Sequence, residues 1–247
     1  LTGAIEFYTA CRSAGIQPVL GLEVDLVPPA TLPAAPAGQL ILLAMDLSGW
    51  RSLCRLSSSL QSDAEPLPFE RLCQETSGLL CLTGGWGSTL NCIAADNQTP
   101  SMQSWLGMLA ELFPDRLYIE LHNHSPEDHE INSCLASLAH RLRLPVVAAH
   151  QVNYLTPEQA ELQKVVTAIR LTRPLHQLPD RSVAPPQAYF STQADMQLRF
   201  AHIPAALERT LEVASRCRLE LPLGIPHFPE IPLPPGHTPL DLLRQKA

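Results

Sequence analysis

The segment Tyr118-Ile-Glu-Leu-His-Asn-His124 sets a carboxylate and two imidazoles at every second position. On an extended strand side chains alternate between faces, so Tyr118, Glu120, His122 and His124 project together while Ile119 and Leu121 project the other way. A glutamate and two neutral histidines on one face are suitable donors for Zn or Mn. The same histidines serve equally well as surface or plain hydrogen-bonding groups. Glu23 is the second candidate, because it interrupts the apolar run 19–27 and a carboxylate there is costly to bury without a partner or a cation. An arginine partner, or a strand-end position in solvent, would satisfy it as well. Asp25 shares its strand face. His150 follows the apolar run Val146-Val-Ala-Ala and reads as a satisfied structural histidine. The other histidines show no mutual spacing and receive no role.

Strands and helices must position these groups. Apolar positions at helical spacing predict a helix over 2–14, stopped by Gly15. The run 18–27 has the length and residue types of a buried strand, the Pro/Ala-rich stretch 28–38 is a loop, and 40–44 is a second strand. Helices follow over 50–60 and 69–75, separated by a Ser/Asp/Pro linker at 62–68, and a third strand at 78–83 ends in the turn Gly84-Gly-Trp-Gly87. Further alternation predicts helices over 102–113 and 127–142 and strands over 116–122 and 144–149. Short apolar strands spaced by helices are the pattern of βα units and a parallel sheet, and without a glycine-rich phosphate fingerprint a (β/α) barrel is favoured over a dinucleotide fold. Beyond Pro157 come helices over 159–170, 192–200 and 204–217, and then a proline-dense tail over 221–239 that reads as an extended connector.

Composition bounds the function. The chain has 247 residues, 45% hydrophobic and 17% charged, with 17 Lys+Arg against 24 Asp+Glu and a formal charge of −7. That length supports a sizeable core without disulfides, and the seven scattered cysteines contain no C-x-x-C. No apolar run spans a bilayer and the first residues lack a signal-peptide pattern, so a cytoplasmic protein without membrane contact is expected. The acidic balance offers no footprint for wrapping a nucleic-acid backbone. Neither a phosphate-binding G-x-x-x-x-G-K-[ST] loop, nor a G-x-S-x-G elbow, nor an Asp-x-Asp pair occurs, so autonomous polymerase or ATPase chemistry is excluded for this segment. The chain opens on Leu1 within a helical pattern, as expected of a piece of a longer protein.

Several phrases occur together in order: Leu1-Thr-Gly-Ala-Ile-Glu-Phe-Tyr8, Ala14-Gly-Ile-Gln-Pro-Val-Leu-Gly-Leu-Glu-Val24, Leu42-Leu-Ala-Met-Asp-Leu-Ser-Gly-Trp-Arg-Ser-Leu53, Tyr118-Ile-Glu-Leu and Leu144-Pro-Val-Val-Ala148. They resemble the polymerase-and-histidinol-phosphatase (PHP) domain of the bacterial DNA polymerase III alpha subunit. Ala188-Tyr-Phe-Ser191, Met196, Phe200, Pro204 and the stretch 217–239 resemble the segment joining that domain to the polymerase palm, and Thr167-Ala-Ile-Arg170 fits the error-prone branch nearly as well. The resemblance implies an incomplete, distorted (β/α) barrel of the PHP type over 1–157, remaining PHP helices over 158–220, and a Pro-rich connector over 221–247.

It further implies a parent DNA-directed DNA polymerase, in which some metal-bearing members hold Zn or Mn and cleave phosphoesters. Glu23 matches the family's Gly-x-Glu ligand and His124 a ligand histidine. Two departures weaken that site. The family's H-x-H and T-D-H segments are absent from this chain, and where metal-bearing members read Asp-Val-His this chain reads Gln151-Val152-Asn153. Neutral amides are poor ligands for either ion, and His150, one position earlier, is expected on the opposite strand face. The resemblance therefore implies a structural segment with no catalytic residue, no resident cofactor, and Glu23 and His124 as vestigial metal ligands. Its expected partners are the other domains of the parent chain, through which DNA is bound, and a proofreading exonuclease or other replisome proteins. An active metal-dependent phosphoesterase or 3′–5′ exonuclease is the alternative.

Overall fold

The computed structural model describes all residues except 33–34, 63–65, 125–127, 180–181, 225, 227–232, 234–235 and 247. Nine residues of the proline-dense tail, the middle of the 62–68 linker, two residues of the Pro/Ala loop and the expected helix start at residue 127 thus lie outside the described residues. Elsewhere helices and strands alternate. Helix α1 (Ala4–Ser13) leads to β1 (Gly21–Val27) and β2 (Gly38–Ala44), followed by α2 (Leu47–Ser62), β3 (Leu67–Pro68), α3 (Phe69–Leu72) and β4 (Leu79–Leu82). Then come α4 (Thr89–Ala95), α5 (Thr99–Leu112), β5 (Leu117–His122), α6 (Asp128–Leu142) and β6 (Val146–Ala149). Helices α7 (Ala160–Leu171), α8 (Gln193–Arg199), α9 (Pro204–Arg216) and α10 (Pro239–Lys246) follow, with 3-10 turns at Pro157–Gln159 and Leu175–Gln177 on either side of α7.

The six strands form one open sheet in the order β3-β1-β2-β4-β5-β6. The expectation of a wholly parallel sheet is corrected here: β2 runs antiparallel to both β1 and β4, while β1–β3, β4–β5 and β5–β6 are parallel. The connection between β1 and β2 carries no helix, and only a helical or similarly long crossover returns a chain to parallel register. The expected buried strand at 18–27 is likewise half-buried. In β1, Val24 and Leu26 face the core while Glu23, Asp25 and Val27 are exposed, the period of a strand covered on one face.

Strands β4 and β5 are buried at every position, as expected of central strands packed on both sides. On one side Leu42, Leu79, Cys81, Ile119 and Leu121 meet Leu53 and Leu56 of α2, Leu106 and Leu109 of α5 and Leu135 of α6. On the other, Leu80, Leu82, Tyr118 and Val147 meet Val213 of α9. A tether reinforces that second layer: the Tyr118 hydroxyl donates to Glu212 Oε1 at 2.5 Å and accepts from Arg216 Nη1 at 2.7 Å. Because β4, β5 and β6 run parallel, the loops that follow them open at one end of the sheet.

Candidate functional site

Glu120 and His122 sit near the end of β5, only 3% and 9% exposed, with Glu120 Oε1 2.6 Å from His122 Nε2. Neighbouring elements fix them. The Glu120 amide donates to Thr83 Oγ1 at 3.0 Å, and Asn132 Nδ2 of α6 donates to the His122 carbonyl at 2.8 Å. Gly85 lies flat against the His122 imidazole, so a Cβ at that position would collide with the ring. The loop after β5 is pinned where the His124 amide donates to Asp128 Oδ2 at 2.7 Å and Asn123 Nδ2 to the Arg199 carbonyl at 2.6 Å.

Three imidazoles follow one another. The His122 and His124 ring centres are 5.5 Å apart, and those of His124 and His150 are 4.7 Å apart. His150 therefore faces the site, contrary to strand alternation. The strand ends at Ala149, so the alternation rule no longer governs the next residue. His150 is also anchored, with Nε2 2.8 Å from the Tyr189 carbonyl and 3.0 Å from Ser191 Oγ, and Nδ1 3.4 Å from Arg199 Nη1. A guanidinium only donates, so Nδ1 is the acceptor nitrogen and Nε2 carries the hydrogen. The Nε2 hydrogen lies nearest the Tyr189 carbonyl, and a protonated Nε2 does not accept from Ser191 Oγ, so the ring does not activate that hydroxyl as a nucleophile.

Glu23 reaches the same mouth from β1, held by Gln39 Nε2 at 2.9 Å. Partial burial, then Asp25 and Glu120, push its carboxyl above the usual range, with His122 opposing. Burial lowers His124 to about 3, aided by His122, His150 and Arg199. Burial also lowers His150, with Arg199 and His122 adding to the effect and the Tyr189 carbonyl opposing it. The imidazoles of His124 and His150 are thus held in the neutral form beside the Glu23 carboxyl group.

The donor types suit Zn or Mn, and Glu120 Oε2, His122 Nδ1 and both ring nitrogens of His124 are buried without a hydrogen-bond partner. Among the described residues no three His, Cys, Asp or Glu side chains are grouped as a metal would require, and the nearest pair, Glu120 and His122, is turned upon itself. Gln151 and Asn153 are exposed and line a separate cavity of about 520 Å³ together with Gln39, Gln163 and Arg170. Trp86, Val183, Ala184 and Pro185 line both that cavity and a second of about 590 Å³, bordered by His124, Asp128, Lys164 and His176.

The structure therefore brings Glu23, Glu120, His122 and His124 to one place. It adds Gln39, Gly85, Tyr189, Ser191 and Arg199, none of which sequence reading assigned to a site. The turn at Gly84-Gly-Trp-Gly87 was legible as a turn, but nothing in the letters said which ring it would support.

The sequence profile of the PHP domain matches residues 1–124, from the first residue to His124. The chain belongs to the PHP domain family. The DNA polymerase III subunit alpha of Pseudomonas aeruginosa is 29% identical over 249 residues, covering 98% of this chain and 21% of that protein. That of Haemophilus influenzae is 30% identical over 250 residues, covering 99% of this chain and 21% of its own length. The error-prone DNA polymerase of Symbiobacterium thermophilum is 28% identical over 265 residues, covering 98% of this chain and 24% of its own length. Similarity to these polymerases thus continues through α7–α9, beyond the PHP profile, while the chain spans only about a fifth to a quarter of each relative. Within the PHP fold, the residues gathered here come from the ends of β4, β5 and β6 and from β1.

Proposed function

We propose that this chain is the PHP portion of a cytoplasmic DNA-directed DNA polymerase of the polymerase III alpha type, and that this portion is structural. In this reading it supports the polymerase core, offers a docking surface to a proofreading exonuclease or other replisome protein, and leaves DNA binding to the parent's other domains. Glu23 and His124 are the remnants of a metal site that no longer assembles.

One observation carries the structural reading: buried donors of the right chemistry lie close together, yet Glu120 and His122 engage each other and Gln39 engages Glu23. The amides at Gln151 and Asn153 agree with it, since neither is a good ligand for Zn or Mn. The acidic balance of the chain agrees with protein docking better than with DNA contact.

The unpartnered atoms of Glu120, His122 and His124 favour a second reading, an active metal-dependent phosphoesterase. Metal analysis separates the two. Purified without chelator and dialysed against Zn or Mn, the protein is expected to retain far less than one ion per chain; a stoichiometric ion lost in Glu23→Ala and His124→Ala would support the phosphoesterase.

A further inference from the structure

Beside the histidine cluster lies the cavity of about 520 Å³, which the structural role leaves unused. Its volume falls in the range of about 300–1,000 Å³ typical of small-molecule sites. Its lining is rich in uncharged hydrogen-bonding groups, the side-chain amides of Gln39, Gln151, Asn153 and Gln163, set with Trp86 and Arg170. Each amide offers an acceptor oxygen and two donor hydrogens. Gln39 is already committed to Glu23. Gln151 Nε2 and Asn153 Oδ1 stand 3.5 Å apart, at the outer limit of a hydrogen bond, so these two exposed amides keep most of their capacity.

Helix α7 supplies one wall. Gln163, Thr167 and Arg170 recur at i, i+4 and i+7 and share a face of the helix. Gln163 Nε2 donates to Thr167 Oγ1 at 3.1 Å, while Gln163 Oε1 is closed to solvent and has no partner. A buried acceptor left unpaired is costly, so this atom calls for a ligand that brings an N–H donor. Arg170 is exposed and belongs to no ion pair among the described residues. Trp86 is 49% exposed, so its indole offers an apolar surface to the cavity.

We propose that the cavity binds a single adenine nucleotide, its base stacked on Trp86, its exocyclic amino group donating to Gln163 Oε1 and its phosphate held by Arg170. Amide side chains match adenine because its N6 donates and its N7 accepts side by side. Among the described residues that line the cavity Arg170 is the one cation, which suits one phosphate. A strand of nucleic acid is held through several phosphates, and the chain's charge of −7 opposes it. None of those lining residues is a carboxylate, so the phosphate meets no like charge there and its binding requires no metal. The site is independent of Glu23 and His124.

Isothermal titration of the full chain with AMP, inosine 5′-monophosphate and adenosine, all in the presence of EDTA, tests the assignment. AMP is expected to bind one to one with a dissociation constant on the order of 10–100 μM. Inosine monophosphate, which replaces the amino group by a carbonyl, binds about tenfold more weakly, and adenosine, without the phosphate, also about tenfold more weakly. Gln163→Leu abolishes the preference for AMP over inosine monophosphate. Arg170→Ala lowers AMP affinity to that of adenosine and leaves adenosine binding unchanged, with the circular dichroism spectra of both variants unaltered. No binding of AMP, equal affinity for AMP and inosine monophosphate, or an AMP affinity indifferent to Arg170→Ala would overturn the proposal. A short oligodeoxyadenylate binding more tightly than AMP would overturn it equally.

Discussion

Glu120 Oε1 and His122 Nε2 are 2.6 Å apart on two side chains nearly closed to solvent, so each supplies a buried polar atom of the other with its partner. Removing one partner leaves the other buried and unpaired. His122→Ala is expected to destabilise the protein by about 3 kcal/mol, the cost of stranding a buried carboxylate. Glu120→Gln keeps a hydrogen-bonding group toward the ring and should cost about 1 kcal/mol. Urea unfolding of both variants measures the difference; equal effects would show that the pair is not mutually satisfying.

The contact between Gly85 and the His122 ring makes a second prediction. Gly85→Ala forces the imidazole aside and should cost about 1–3 kcal/mol, the range for overpacking a filled site. Gly107 is the control. It lies exposed in α5 with open space where a Cβ would stand, so Gly107→Ala should raise stability by up to about 1 kcal/mol. Thermal unfolding of the two variants should therefore shift in opposite directions.

The histidines set the acid limb of stability. His124 is lowered to about 3 in the folded protein from an ordinary value of 6.5, so the unfolded chain takes up its proton first. Its contribution is complete above about pH 6.5 and is lost as pH falls toward 3. His150 acts in the same direction. Glu23 acts oppositely: its raised carboxyl disfavours the folded state above its folded value, and the penalty is relieved as pH falls through that value. His124→Gln should flatten the loss of stability between pH 6.5 and 3, and Glu23→Gln should stabilise the protein at pH 7. Denaturant midpoints across that pH range check both signs.

Much of this was legible in the letters, for identifiable reasons. The alternation in residues 118–124 placed Glu120 and His122 on one strand face because β5 is regular to His122. The same rule failed for His150, which lies one residue beyond β6 and is turned inward by Tyr189, Ser191 and Arg199. Helix α10 was not foreseen, although Thr238 and Asp241 form a reciprocal cap at its start, with Asp241 N 3.2 Å from Thr238 Oγ1 and Thr238 N 3.0 Å from Asp241 Oδ2. The proline-dense composition before it masked that signal. Helix α4 was missed because it is seven residues long, too short for its period to stand out, and it begins on Ser88, whose hydroxyl accepts from the Asn91 amide at 3.2 Å. The reversed direction of β2 depends on a loop path that strand composition does not encode.

The central claim is that this PHP segment is structural, and one paired measurement tests it most directly. Single-stranded DNA with a labelled 3′ end is incubated with the chain in Zn or Mn, for the unaltered protein and for Glu23→Ala and His124→Ala, with melting temperatures recorded on the same samples. The account predicts no metal-dependent release of nucleotides from any of the three, and melting temperatures that move with each substitution. Metal-dependent cleavage by the unaltered protein, abolished in both variants while their melting temperatures stay unchanged, would contradict it.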